Sequence, residues 1–350
     1  QVAAVALMLD YIVTVAVQSA AGVAAIISTF PSLGDWKMEM IYAVIAILTF
    51  GNLRGVKEAG KAFAMPTYFF IGCMFIVFTM GTWRLFNGTL PMLDPHAPGA
   101  VEIGHAQGLL TAASIFILLR AFANGGSSLT GLEAISDGVA LFKAPEHTNA
   151  KRTMVIMSTL LGSLVLGVSW FAGHVHAVPY ESGAPTVISQ IAKAAVGTGA
   201  FGTMMFVLVQ LATMLILFAG ANTTYSAFPL LVNFVASDGY LPRQLTKRGH
   251  RLAFSNGILL LSGGGLLLVT LTAGSVEHLV AFYALGVFTG FTLAGAGMTK
   301  HALRTRPDHW QWKVAINSIS AGVSFLVVII FSVVKFSEGA WKIGRASCRE

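Results

Sequence analysis

Charge is what this chain has least of. Only 15 of its 350 residues are Asp or Glu and 22 are Lys or Arg, so charged side chains make up 11% against 55% apolar. Soluble domains carry about a quarter charged residues, and a mean hydropathy of +0.74 excludes that class. The chain reads as an integral membrane protein. Cysteine is nearly absent: Cys73 lies in an apolar run and Cys348 in the last few residues, which excludes a disulfide framework or a cysteine metal site. Enzyme signatures are missing too, with no HExxH zinc motif, no GxSG nucleophile turn and no other recognisable nucleophile and base. His174 and His176 form an HxH pair without a third ligand nearby in sequence, too few for a zinc site. Neither a TVGYG filter nor repeated charged rings are present, which argues against a channel. No soluble block separates the apolar runs, so one membrane domain is expected.

The net charge of +7 does not point to nucleic acid, because the basic residues sit in short loops between apolar runs. At the edges, Gln1 opens in mid-hydrophobic sequence and reads as the start of a fragment, with neither signal peptide nor leader expected. The terminal KIGRASCRE resembles a translated sequencing adapter. Residues 343–350 are therefore set aside and residues 1–342 taken as the transmembrane domain.

A helix needs about 20 mainly apolar residues to cross the hydrocarbon core. By that measure nine spans are expected, at 2–27, 38–52, 62–83, 108–141, 153–173, 200–234, 253–273, 277–299 and 314–334, the fourth and sixth too long for simple straight rods. The connections after the even spans hold Arg54, Lys57, Lys61, Lys143, Lys151, Arg152, Arg243, Lys247, Arg248, Arg251, Lys300, Arg304, Arg306 and Lys313. The other side holds only Lys37, Arg84, Lys193, Lys335 and Lys342. Cytoplasmic loops hold the positive excess, so the even connections are cytoplasmic and the first span runs outward.

Ionisable groups at membrane depth mark functional pathways when they face protein or water. Asp10, Arg120, Glu133 and Asp137 qualify, while Glu277 and His278 lie at a span end and read as interfacial. The stretch AFANGGSSLTGLEAISDG places Gly125, Gly126 and Gly131 just before Glu133. Those glycines weaken helix over a few residues, and a broken spanning helix is tolerated only where its freed carbonyls meet protein or a cavity. Thr130 and Glu133 are three apart and share a face. With freed carbonyls they form an all-oxygen site suited to a hard cation, or Glu133 exchanges a proton, since desolvation raises a carboxyl pKa. Otherwise Ser127, Ser128 and Thr130 only cap a kinked helix and the glycines allow close packing; that reading leaves Glu133 unexplained. In the first span Tyr11, Thr14 and Gln18 recur at helical spacing beside Asp10, a polar stripe that must face the bundle interior. Such a stripe either lines a pathway or joins helices by hydrogen bonds. Gln18, and the sixth-span cluster Gly220, Asn222, Thr223, Thr224 and Tyr225, read first as such joints. Tyr283, Gly286, Thr289 and Gly290 share one face of the eighth span, either for packing or, at Tyr283, to gate a vestibule.

The segments LDYIVTVAVQSAAGVAAI, NLRGVKEAGKAFAMPTYFF, NGGSSLTGLEAISDGVALFKAPE and ASDGYLPRQLTKRGHRLAFSNG resemble the APC superfamily of amino acid, polyamine and organocation transporters, and most closely its KimA-type potassium importer branch. The resemblance implies an all-α, LeuT-like bundle of twelve helices with inverted five-helix repeats, of which this chain supplies nine, the third to the eleventh. It implies proton-coupled potassium uptake by alternating access in a multi-pass cell-membrane protein. It carries over Tyr11 and Thr14 from the third helix, Ser128, Thr130 and Glu133 from the sixth and Tyr283 from the tenth, with potassium held by Tyr11, Thr14, Thr130 and Glu133. The partners implied are a small cation or small-molecule substrate and the lipid bilayer, with no cofactor; a homodimer is compatible with the resemblance. A proton-coupled amino acid permease on the same fold is the rival. A carboxylate at Glu133 favours a cation over an amino acid's own carboxylate.

Overall fold

The computed structural model describes residues 2–54, 60–101, 117–118, 121–122, 125, 139, 142–237, 239–246, 255–306 and 309–337. Nine long or medium helices lie among them: α1 (Val2–Thr29), α2 (Lys37–Leu53), α3 (Gly60–Phe86), α4 (Glu146–Val175), α5 (Val187–Val196), α6 (Ala200–Ser237), α7 (Ser255–Leu271), α8 (Val276–Thr305) and α9 (Trp310–Ser337). Eight of the nine expected spans are therefore helices. The fourth, at 108–141, falls almost wholly outside the described residues, and Arg120, Ser128, Thr130, Glu133 and Asp137 with it. By length and apolarity, Leu7–Thr29, Ala64–Phe86, Glu146–Val175, Ala200–Ser237 and Trp310–Val333 can each cross a membrane.

α6 is one unbroken helix of 38 residues with Pro229 inside it, about 57 Å long at 1.5 Å per residue. That exceeds a hydrocarbon core of about 30 Å, so its ends project beyond the lipid. α5 was not expected as a separate element. Its N-cap Thr186 accepts a hydrogen bond from the Ser189 amide at 3.2 Å, and Gly197 ends it; that Thr-to-Gly frame is its sequence signal.

Helices in lipid gain little from burying apolar surface against one another and associate instead through close van der Waals fit. The contacts here follow that rule, with a glycine on one helix set against a large side chain on the next. Gly22 of α1 lies under the Phe218 ring of α6, Gly264 of α7 under Ile12 of α1, and Gly167 of α4 under Phe78 of α3. Phe78 also stacks on Phe171, centroids 5.6 Å apart. The pairs give directions. Tyr11 meets Phe228, Gln18 meets Gly220 and Gly22 meets Phe218, so α1 and α6 are antiparallel. α8 and α9 are antiparallel as well, through Gly295 with Ala321 and Thr299 with Ser318. α3 and α4 run parallel: Phe78 sits at Gly167, Phe171 at Gly81, and past the end of α3 the Leu93 amide bonds the carbonyl of Val175, the last residue of α4, at 2.8 Å.

The charge-poor connections meet on one face. Lys37 donates to the Ser182 carbonyl at 2.9 Å, where burial holds its ammonium below its usual pKa. The Thr186 amide bonds the Ser28 hydroxyl at 3.1 Å, and Ala100 pairs with Tyr180 in an antiparallel bridge. Gly274, at φ +64, turns α7 into α8 so tightly that a Cβ would come within 2.8 Å of Ile41. Buried Gln190 holds this face together, accepting from the Val178 amide at 3.2 Å and donating to the Val178 and Pro185 carbonyls at 2.7 and 3.1 Å. On the opposite face Leu53 shares a cluster with Leu241 and Leu245. The two faces are those that the loop charges assign to outside and inside.

Candidate functional site

α1 is the axis of the bundle, packed against α2, α6, α7 and α8. Apolar spans can surround a helix on several sides only if its polar groups have somewhere to point, and α1 carries five of them between Asp10 and Ser19. Asp10 and Ser19 are buried, and Tyr11, Thr14 and Gln18 are half-buried. Tyr11 packs edge-on against Phe228 of α6, centroids 6.2 Å apart at 72°. Gln18, two turns on along the same side, is seated against Gly220, where any Cβ would strike its carboxamide.

Most helical Ser and Thr hydroxyls in this bundle donate to the carbonyl four residues back, as Ser28, Thr49, Thr213 and Thr292 do. Thr14 and Ser19 do not. Among the described residues Thr14 makes no hydrogen bond, while the buried Ser19 Oγ and Gln18 Oε1 have no partner. Buried polar atoms are paired in nearly all cases, so two buried oxygens left unpaired among the described residues, beside the half-buried Thr14 hydroxyl, mark a surface suited to solvating something. The row can offer a hydroxyl and carboxamide oxygen to a cation or a proton-carrying group.

Two members of the sixth-span cluster, Tyr225 and Asn222, join helices, while Thr223 and Thr224 donate to the Gly220 carbonyl of their own helix. Tyr225 is buried with its hydroxyl 3.2 Å from both Thr49 of α2 and Ser262 of α7, and Thr49 and Ser262 are 2.7 Å apart. One turn inward, Asn52 donates to Asn222 at 2.6 Å. Three helices are thereby locked beside α1. Nothing in the sequence singles out Thr49 or Ser262, each an ordinary polar residue in an apolar run. His174 and His176 are spent locally: the first bonds the Trp170 carbonyl at 2.9 Å and lies against its ring, and the second takes a left-handed conformation to end α4.

Of the residues expected at the site, the structure describes Tyr11 and Thr14 in full. Tyr283 lies in α8 one turn before Val287, which packs against Val13 of α1, so its backbone belongs to the segment bordering the row. Ser128, Thr130 and Glu133 lie outside the described residues. A family model described as amino acid permease matches residues 1–340. The chain belongs to that family. Permeases of this family form part of the APC superfamily, and the all-α membrane bundle accords with it. The chain is 38% identical over 331 residues to the potassium transporter KimA of Bacillus subtilis (strain 168), an alignment covering 95% of this chain and 52% of that protein. It thus spans about half the length of its curated relative. By family and by its apolar helices the chain is part of a multi-pass membrane protein.

Proposed function

We propose that this permease-family chain carries the transport core of a proton-coupled potassium importer that works by alternating access. In this reading residues 1–342 form the transport domain and correspond to helices three to eleven of a twelve-helix inverted-repeat fold. Potassium is the substrate, held by Tyr11 and Thr14 of α1 together with Thr130 and Glu133, with Ser128 and Tyr283 bordering the site. Glu133 carries the coupled proton. No cofactor takes part.

The observation that carries the proposal is the set of oxygens on α1 with no hydrogen-bond partner among the described residues, Thr14, Gln18 and Ser19, on the helix packed against α2, α6, α7 and α8. Oxygen ligands suit hard cations, and the similar protein is named for potassium transport. The family description, amino acid permease, favours a second reading in which the same site takes an amino acid. Growth of cells lacking potassium uptake separates the two. Expression of the full-length parent is expected to restore growth at low potassium, Glu133→Gln to abolish it, and Thr14→Val to raise the potassium requirement at least tenfold, by analogy with the loss of one hydrogen-bonding ligand. No rescue by the parent, with saturable amino acid uptake in its place, overturns the potassium reading.

A further inference from the structure

The inward end of the α8–α9 hairpin carries a basic cluster outside the proposed site. Lys300, Arg304 and Arg306 lie at the close of α8 and Lys313 in the first turn of α9, and all four are exposed. None forms an ion pair among the described residues. Asp308 is the one carboxylate in the sequence from Leu279 to Ser337, so the hairpin keeps a local excess of positive charge. Arg306, left-handed at φ 43, ends α8 with its guanidinium 5.5 Å from the centre of the Trp310 ring. A cation beside an indole at a helix end is the arrangement found where a span meets the headgroup layer.

An apolar strip begins at the same point. Trp312, Ile316, Ile319 and Val323 are 69, 49, 66 and 50% exposed, and their spacing of four, three and four residues sets them on one side of α9. The cations and the strip are continuous: Lys313 adjoins Trp312. A ligand that satisfies both has a phosphate at one end and acyl chain at the other. We propose that this hairpin is a binding site for an anionic phospholipid of the cytoplasmic leaflet, its phosphate among Arg304, Arg306 and Lys313 and its chains along the strip. A soluble polyanion would meet the same charges but leave the strip idle. The inference is independent of which substrate the bundle carries.

The test uses the purified, delipidated protein, with phosphatidylglycerol or phosphatidylcholine added in equal amounts and retained lipid counted by native mass spectrometry. Anionic lipid attracts each nearby basic side chain enough for about a fivefold change in binding. The parent is expected to retain phosphatidylglycerol at least tenfold over phosphatidylcholine, and R304Q/R306Q/K313Q to lose most of that preference. R304K/R306K, which keeps the charge, is expected to keep the preference. K143Q/K151Q/R152Q, on another inward connection, serves as the control and is expected to keep it too. A far-UV spectrum establishes that each variant is folded. Equal retention of the two lipids by the parent, an unchanged triple variant, or an equal loss in the control overturns the proposal.

Discussion

The hydroxyls of Thr49, Tyr225 and Ser262 permit a quantitative test, because their protons can be counted. Each hydroxyl has one hydrogen. Thr49 lies 2.6 Å from the Ile45 carbonyl and Ser262 lies 2.8 Å from the Ile258 carbonyl. If both hydrogens go to those carbonyls, only the Tyr225 hydrogen is left to bridge helices, and it must choose between two oxygens at 3.2 Å. The 2.7 Å separation of Thr49 and Ser262 is too short for two oxygens without a shared hydrogen, so one of them turns away from its own carbonyl. The Thr49–Ser262 link is therefore the strong one, and the two longer links to Tyr225, in one of which the Ser262 hydroxyl donates to the phenol oxygen, compete for the hydrogens that remain. Interhelical hydrogen bonds in membrane proteins couple by about 0.6 kcal/mol on average and about 1.7 at most. We expect a cycle of Thr49→Val and Ser262→Ala to give a coupling of about 1 to 1.5 kcal/mol, and one of Thr49→Val and Tyr225→Phe about half that, each of the three substitutions removing one hydroxyl. Unfolding in mixed micelles by titration with a denaturing detergent measures both. A larger coupling through Tyr225 than through Ser262, or none in either cycle, would refute the proton count.

Other perturbations follow from the same packing. Gly22→Leu drives a side chain into the Phe218 ring, and overpacking of this kind costs about 1 to 3 kcal/mol, read in the same unfolding assay; Gly34→Ala, where a Cβ meets nothing, is expected to have no such effect. Gln190→Ala leaves the Val178 amide and carbonyl without their partner, so amide exchange across residues 176–186 should accelerate at least tenfold, given about 1 to 3 kcal/mol for each buried group left unsatisfied. Unchanged exchange would mean that the outer face is held by something other than Gln190. Gly220→Val is expected to displace the Gln18 carboxamide and with it the oxygen row. Transport should fall more than thermal stability does, and equal loss of both would return Gln18 to a packing role.

How much of this was legible in advance depended on whether the signal was local. Loop charge is local, and it sorted the connections correctly: Lys37, Ser182, Ser28 and Thr186, placed on one side by charge bias, meet there. Helical spacing is local too, so Tyr11, Thr14 and Gln18 were visible as a stripe. The role of each within it was not, because that depends on what stands opposite: Phe228 for Tyr11, Gly220 for Gln18, and no bonding partner among the described residues for Thr14. Tyr225 could be read as a helix joint from its setting in an apolar run, since a buried phenol needs a partner. Its partners could not, since Thr49 and Ser262 lie 176 and 37 residues away and each has a local carbonyl that would satisfy it alone. α5 went unseen for the opposite reason: at 10 residues it is too short to register as a span, although Thr186 and Gly197 frame it.

The oxygen row and the hydroxyl joint belong to one design constraint. A membrane helix that presents unpaired oxygens toward a pathway gives up the interhelical hydrogen bonds those groups could make, and in lipid little else of a directional kind holds helices in register. α1 makes its contacts through small residues and apolar side chains, as at Gly22, Val13 and Val15. The polar joint is displaced instead to α2, α6 and α7, each of which packs against α1. Those three helices fix one another by directional bonds and hold α1 by shape, which under the proposed function leaves the α1 oxygens for a substrate. Breaking the joint should therefore blur the position of α1 and weaken substrate binding. Thr49→Val/Ser262→Ala is expected to raise the apparent KM for transport while the maximal rate per folded molecule changes less than twofold; an unchanged KM in a measurably destabilised protein would separate the joint from the site.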